Sequence, residues 1–198
     1  EVRVLLGTQM IAKGLDFPGV RLVGVVSADT ALQLPDFRAS ERTFQLVSQV
    51  AGRAGRTADG PQAQVIVQSM HPDNPAVLHA AAHEWDRFAE HELAMRTGAG
   101  LPPAKRMARI VFRDRDLDAA MAMANAAAQA LTNSQEKIEL LGPAPCPMAR
   151  IDDRHRIGLE VLGETPGILG RALAKARVAG GLKPGEKVVI DVDPTSLL

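Results

Sequence analysis

Cysteine is almost absent, with Cys146 the single one in 198 residues. One thiol cannot build an internal disulfide framework or a cysteine-rich zinc site within this chain, and it points to a reducing compartment. Net charge is missing too: lysine plus arginine number 23, and so do aspartate plus glutamate. Dividing the chain near residue 100 changes little, with nine basic against eleven acidic residues before it and fourteen against twelve after. Any nucleic-acid contact must come from a local patch, because net charge supplies no general attraction. No charged-then-apolar leader opens the sequence and no apolar run approaches the ~18 residues of a membrane span. The expectation is a cytoplasmic chain with no membrane partner.

What is present is the composition of a globular protein, 46% apolar and 23% charged, long enough for one large domain or two smaller ones. The first residues, Val2 to Leu6, read as a buried strand with no lead-in, which predicts a piece of a longer protein begun inside a domain. Gly7, Thr8 and Gln9 follow at that strand's carboxyl end, the edge where open α/β sheets bind ligands. A short polar loop over 11–18 leads to a second apolar run over 20–28 ending at Asp29. A loop over 30–39 precedes a helix predicted over 41–51, capped by Ser40, with Phe44, Val47 and Ala51 facing a core. A third strand is predicted over 63–68. This alternation fits a partial nucleotide-motor lobe of RecA-like type, with a parallel sheet between helices.

That helix delivers Gln49-Val-Ala-Gly-Arg53-Ala-Gly-Arg56. Guanidinium is permanently charged and forks onto phosphate oxygens, so paired arginines beside glycines suggest an anion clamp. The alternative is a basic helix end whose arginines cap carbonyls. A long helix over 76–97 is expected next, with Leu78, Ala81, Trp85 and Phe88 on one stripe. His79 and His83 share a face at metal-ligand spacing, yet no third ligand stands near, so no metal site is assigned.

Gly98 to Pro103 marks a predicted boundary between a domain over 1–100 and one over 101–198. Beyond it the order is strand (109–112), helix (117–131), strand (138–141), strand (156–162), helix (166–179) and strand (187–192). This βαββαβ order is that of the ferredoxin-like fold. Met121, Ala124, Ala128 and Leu131 read as core packing. Residues 142–147 read as a proline-stiffened loop running into Arg150, Arg154, His155 and Arg156. That cluster is either a nucleic-acid contact or a solvated hairpin diluted by Asp152 and Asp153.

The Gly7–Pro18 segment, the stretch from Ala28-Asp29 through Asp36 to Arg42, and the Gln49–Arg56 octapeptide together resemble the primosomal protein N′ family of replication-restart helicases. The similarity continues through Leu101-Pro102-Pro103, Gly142-Pro143 and Arg154–Arg156 to the closing Asp191-Val192-Asp193-Pro194, and so spans the chain. It implies an ATP-dependent 3′–5′ superfamily 2 DNA helicase that binds abandoned replication forks and D-loops and initiates primosome reassembly. Gly7, Thr8 and Gln9 resemble the motif that grips a DNA phosphate, with Lys13 and Gly14 in the same motif and Asp16 near the nucleotide ribose. Gln49, Arg53 and Arg56 resemble the motif that meets ATP, with Arg56 the arginine finger and Arg53 a second γ-phosphate ligand. Arg154 and Arg156 are the implied DNA contacts of the C-terminal part. The implied partners are forked and single-stranded DNA, single-strand DNA-binding protein, primosome proteins and the machinery that loads the replicative helicase.

Some features of that family are missing from these residues. No G-x-x-x-x-G-K-[ST] loop and no Asp-Glu magnesium box occurs, so ATP and Mg2+ are expected to be held mainly by a first lobe elsewhere, and these residues alone should not hydrolyse ATP. Zinc is expected in the longer protein, without ligands here. His155-Arg156-Ile157 lacks the aromatics that would stack on bases, and Ala104 stands where an aromatic is usual after the double proline. The alternative function is a non-catalytic adaptor of the same family that binds forks and loads primosome proteins.

Overall fold

The computed structural model describes residues 4–8, 20–52, 64–183 and 185–197. They form two compact units, one drawn from Glu1–Leu34 and Arg38–Glu92, the other from Pro35–Phe37 and Leu93–Leu198.

The first unit holds two parallel strands, β1 (Leu22–Val25) and β2 (Gln64–Val67), in register Leu22 opposite Gln64 through Val25 opposite Val67. Helix α1 (Ala39–Ala51) lies between them in sequence, then α2 (Pro75–Ala81) and the first part of α3 (Trp85–Gly98). Phe44 and Val47 of α1 bury against Ala76 and Ala80 of α2 and Phe88 of α3. Phe44 stacks on Phe88 with ring centroids 4.2 Å apart, and Trp85 meets Phe44 edge-on at 5.4 Å. Such aromatic pairs add about 0.5–1.5 kcal/mol beyond their buried area.

Four expectations for local structure are corrected. Residues 4–8 form no strand, and Val4, Leu5 and Leu6 are exposed; no described strand offers them a ladder. Helix α1 begins one residue before Ser40, so that side chain lies inside the helix, and Arg38 at the N-cap pairs with Glu41 at 2.6 Å. The long helix is two helices, because His83 takes a left-handed φ of 58° between them. That break resets the helical phase: Ala76, Val77 and Ala80 are buried while Leu78 and Trp85 are half exposed. Residues 142–147 are not a loop; they belong to a long, irregular strand.

In the second unit the order is β3 (Arg106–Asp114), α4 (Leu117–Thr132), β4 (Ile138–Ile151), β5 (Arg154–Gly163), α5 (Pro166–Val178) and β6 (Val188–Val192). The sheet runs β4-β5-β3-β6 with every neighbouring pair antiparallel. Helix starts follow capping rules: Asp116 accepts from the Asp118 amide at 3.0 Å, and Thr165 from the Ile168 amide at 3.3 Å ahead of Pro166. Both helices cover one sheet face. Ala120, Ala124, Ala127 and Leu131 of α4, and Leu169, Ala172, Leu173 and Ala176 of α5, close over Ala108, Ile110, Phe112, Ile157, Leu159 and Val161. Met121 and Ala128 are partly buried at its margin. The small alanines let backbones approach closely, and Gly181 takes this to a limit: a Cβ there would stand 2.4 Å from that of Ala130.

Residues 35–37 join this unit through polar contacts. Asp36 accepts from Ser196 Oγ at 3.2 Å and from the Leu197 amide at 3.0 Å, while the Arg96 guanidinium lies 5.4 Å from the centre of the Phe37 ring.

Candidate nucleotide and nucleic-acid sites

At the carboxyl end of the parallel pair the chain turns through a short 3-10 segment, Ala28–Thr30. Asp29 is buried there and ties the two strand ends together, its carboxylate accepting from the Met70 amide at 2.7 Å and Ser69 Oγ at 2.8 Å. The Met70 amide above all holds its carboxyl below the ordinary carboxylate value, with Ser69 acting in the same direction and burial against it. The result is a rigid, ionised strut at the sheet edge where α/β proteins place ligands.

Gln49 is exposed on the last turn of α1, opposite the face that buries Phe44, Val47 and Val50. The helix closes at Gly52, whose amide donates to Ser48 at 2.9 Å. Arg53 and Arg56 follow directly in sequence but lie outside the described residues, as do Gln9, Lys13, Gly14 and Asp16. Gly7 and Thr8 are described, exposed and in no regular element.

The basic cluster of the second unit is the tip of the β4–β5 hairpin. Asp152 and Asp153 both take positive φ, 50° and 61°, in a two-residue turn that sets Ile151 opposite Arg154 and Arg150 opposite His155. Positive φ at both central residues fits a turn whose twist matches the strands, a conformation aspartate tolerates. The arginines have carboxylate partners: Arg150 pairs with Asp153, and Arg154 with Glu186, whose carboxyl that guanidinium pulls below its ordinary value. Arg156 is different. It is 7% exposed and donates to the Met148 carbonyl at 3.2 Å, so it braces the hairpin from within. The structure thus brings Arg150 and Arg154 to the tip and turns Arg156 inward.

Sequence reasoning missed a second polar locus. On the sheet face away from α4 and α5, Arg109 of β3 lies directly opposite Glu160 of β5. Arg109 is 5% exposed, its Nε stands 3.9 Å from Glu160 Oε1, and its NH1 meets no acceptor. An unmet buried donor costs about 1–3 kcal/mol. Burial pushes the Glu160 carboxyl up, with Arg109 working in the opposite direction. The signal available in the sequence is a charge inside an apolar run, Met107-Ala-Arg-Ile-Val-Phe112.

Among the described residues no group of three or more His, Cys, Asp or Glu side chains is placed to hold a metal; His79 Nδ1 instead lies 2.9 Å from Glu84 Oε2. No described helix is long and apolar enough to cross a membrane.

Comparison with known proteins bears on the whole chain. Residues 97–195 match the family model "Primosomal protein N C-terminal domain". "Replication restart protein PriA" of Treponema pallidum is 42% identical over 202 residues, covering 100% of this chain and 30% of the relative. The Bacillus subtilis protein of the same name is 44% identical over 154 residues, 77% of this chain and 19% of the relative. That of Haemophilus influenzae is 38% identical over 197 residues, 98% of this chain and 27% of the relative. The chain therefore spans less than a third of the relatives' length, and with its domain match and these identities it belongs to the primosomal protein N family.

Proposed function

We propose that this chain is the C-terminal part of an ATP-dependent 3′–5′ DNA helicase that acts in replication restart at abandoned forks. The observation that carries the reading is that relatives named replication restart protein PriA match it across its full length, the Gly7–Pro18 and Gln49–Arg56 segments included. The parallel β1–β2 pair, with α1 running from it toward Arg53, supports a partial RecA-like second lobe. The β4-β5-β3-β6 order, antiparallel throughout with both helices on one face, supports a ferredoxin-like C-terminal domain.

In this reading Arg56 reaches the γ-phosphate of ATP held by a first lobe outside these residues, with Arg53 a second ligand and Gln49 beside them. Gly14 and Asp16 lie toward the nucleotide. Gly7, Thr8, Gln9 and Lys13 grip a DNA phosphate, a contact that fixes position without reading sequence. Asp29 ties the ends of β1 and β2 together at the sheet edge. ATP supplies the driving reaction and Mg2+ neutralises its phosphates. The hairpin tip adds backbone contacts to branched DNA through Arg154, braced by Arg156, and the partners are those of primosome reassembly, including single-strand DNA-binding protein.

The test is DNA-stimulated ATP turnover by the longer protein, comparing wild type with Arg56→Ala at matched DNA occupancy. A loss of about 10³–10⁵ in rate with DNA binding intact is expected for an arginine finger. Equal turnover sinks the assignment. No turnover in the wild type would favour a fork-binding adaptor instead.

A further inference from the structure

The sheet face opposite α4 and α5 contains a recess of about 320 Å3, at the small end of the ~300–1,000 Å3 range of ligand pockets. Its walls are mainly aliphatic, Leu101, Met107 and Pro145 among them, and its charged groups are Arg109 and Glu160. These two are poorly matched to each other, with 3.9 Å between Nε and Oε1 and a guanidinium nitrogen lacking any acceptor. Gly158 keeps the floor open: a Cβ there would lie 3.3 Å from Cys146 Sγ and 3.4 Å from Glu160 Oε1.

A cationic donor beside a carboxylate acceptor, in an aliphatic slot, complements a flat group whose edge carries a carbonyl oxygen next to N–H donors. Among the bases guanine fits best, because O6 accepts while N1 and N2 both donate; arginine is its commonest partner, and apolar side chains can sandwich an unstacked base. We propose that this recess binds an unpaired guanine, with Arg109 donating to O6, Glu160 accepting from N1–H and N2–H, and the ring held between Leu101, Met107 and Pro145. That the base comes from a DNA strand rests on the function proposed above; a free guanine nucleotide offers the same edge.

Cys146 lines the recess, is 5% exposed and is the only cysteine in the chain. Iodoacetamide is applied to the unliganded chain long enough for mass spectrometry to follow a measurable alkylation rate at this buried thiol, and occupancy is read as the slowing of that rate. Four additions to this chain are compared: guanosine monophosphate, adenosine monophosphate, a fork with guanines in its single-stranded arm, and the same fork abasic at those positions. Guanosine monophosphate at ten times its dissociation constant should slow alkylation about tenfold, as occupancy requires, and adenosine monophosphate should not. Glu160→Gln should raise the concentration needed roughly 5- to 150-fold, and Gly158→Ala should remove protection by filling the floor. Protection by the guanine fork over the abasic one identifies a strand as the source, and protection by the free nucleotide alone identifies the nucleotide. Unchanged alkylation with every addition, or equal protection by both nucleotides, overturns the proposal, and the wild-type arms decide this without either variant. Fork binding is read separately by fluorescence anisotropy: binding without protection removes the recess but leaves the DNA role standing, and protection by nucleotide without fork binding does the reverse.

Discussion

Arg109 and Glu160 face each other across β3 and β5, yet the guanidinium keeps an unmet donor and the carboxyl is pushed up by burial. Ionising Glu160 in the folded chain therefore costs stability as pH rises from below its ordinary value of 4.5 through the raised one, and Arg109 offsets part of that cost. Arg109→Met removes the offset. Its melting temperature should fall more steeply than wild type over that rise, and urea unfolding near neutral pH should show a loss of about 3 kcal/mol, the cost of leaving one buried charge unpaired. The double variant Arg109→Met, Glu160→Met should recover most of it. Parallel pH profiles in the wild type and the single variant would show that the pair carries no such coupling.

Glu136 behaves in the opposite sense. It accepts from Arg171 at 3.0 Å and Lys175 at 2.8 Å, and Arg171 above all holds its carboxyl below the ordinary 4.5. Its contribution is present above pH 4.5 and is lost as pH falls through the lowered value. Glu136→Gln should flatten the acid limb of the stability curve, leaving the two proteins closer at low pH than at neutral pH. Thermal melts across that range check it.

Gly181→Val should destabilise the second unit by about 1–3 kcal/mol through overpacking against α4. The Cβ would meet the Ala130 Cβ at 2.4 Å and the Ala126 carbonyl at 3.0 Å, both on a helix that cannot yield locally. Denaturant titration, with the slope unchanged and the midpoint lowered, is the expected result.

At the first sheet, Asp29→Ala should speed hydrogen exchange at the Met70 amide, which loses its 2.7 Å acceptor. The helix amides of α1 should exchange as before. Spread of the effect throughout α1 would mean that Asp29 supports the whole unit rather than the strand ends.

On the proposed DNA role, Arg154→Ala should weaken fork binding alike for all sequences and lower the slope of log affinity against log salt by about 1. Arg156→Met should leave that slope alone and lower stability, since its guanidinium holds the Met148 carbonyl inside the hairpin.

The elements from β3 to β6 were readable because each short apolar run and each alanine-leucine stripe agrees with its final place: Ala120, Ala124, Ala127 and Leu131 repeat at helical spacing and pack as one face. Strand lengths were not. β4 runs on to Ile151 through three prolines, which an edge strand tolerates and propensity discounts. The break at His83 was invisible for a similar reason, since Ala82, His83 and Glu84 are individually compatible with a helix. At the sites, Gln49 and the hairpin arginines could be followed into the structure, whereas Arg53, Arg56 and the Gln9–Asp16 residues rest on sequence alone. The Arg109–Glu160 locus needed the register of β3 against β5, which no local pattern contains.

Prolines 143, 145 and 147 recur at every second position of β4, the outermost strand on its side of the sheet. Each lacks an N–H, and in an edge strand proline is tolerated where that group would point outward. The border is thereby insulated against recruiting a further strand, from another copy or from an unfolded neighbour. With β4 closed in this way, strand addition to the described sheet is left to the opposite border, β6, so copies of this unit have only one side on which to extend it.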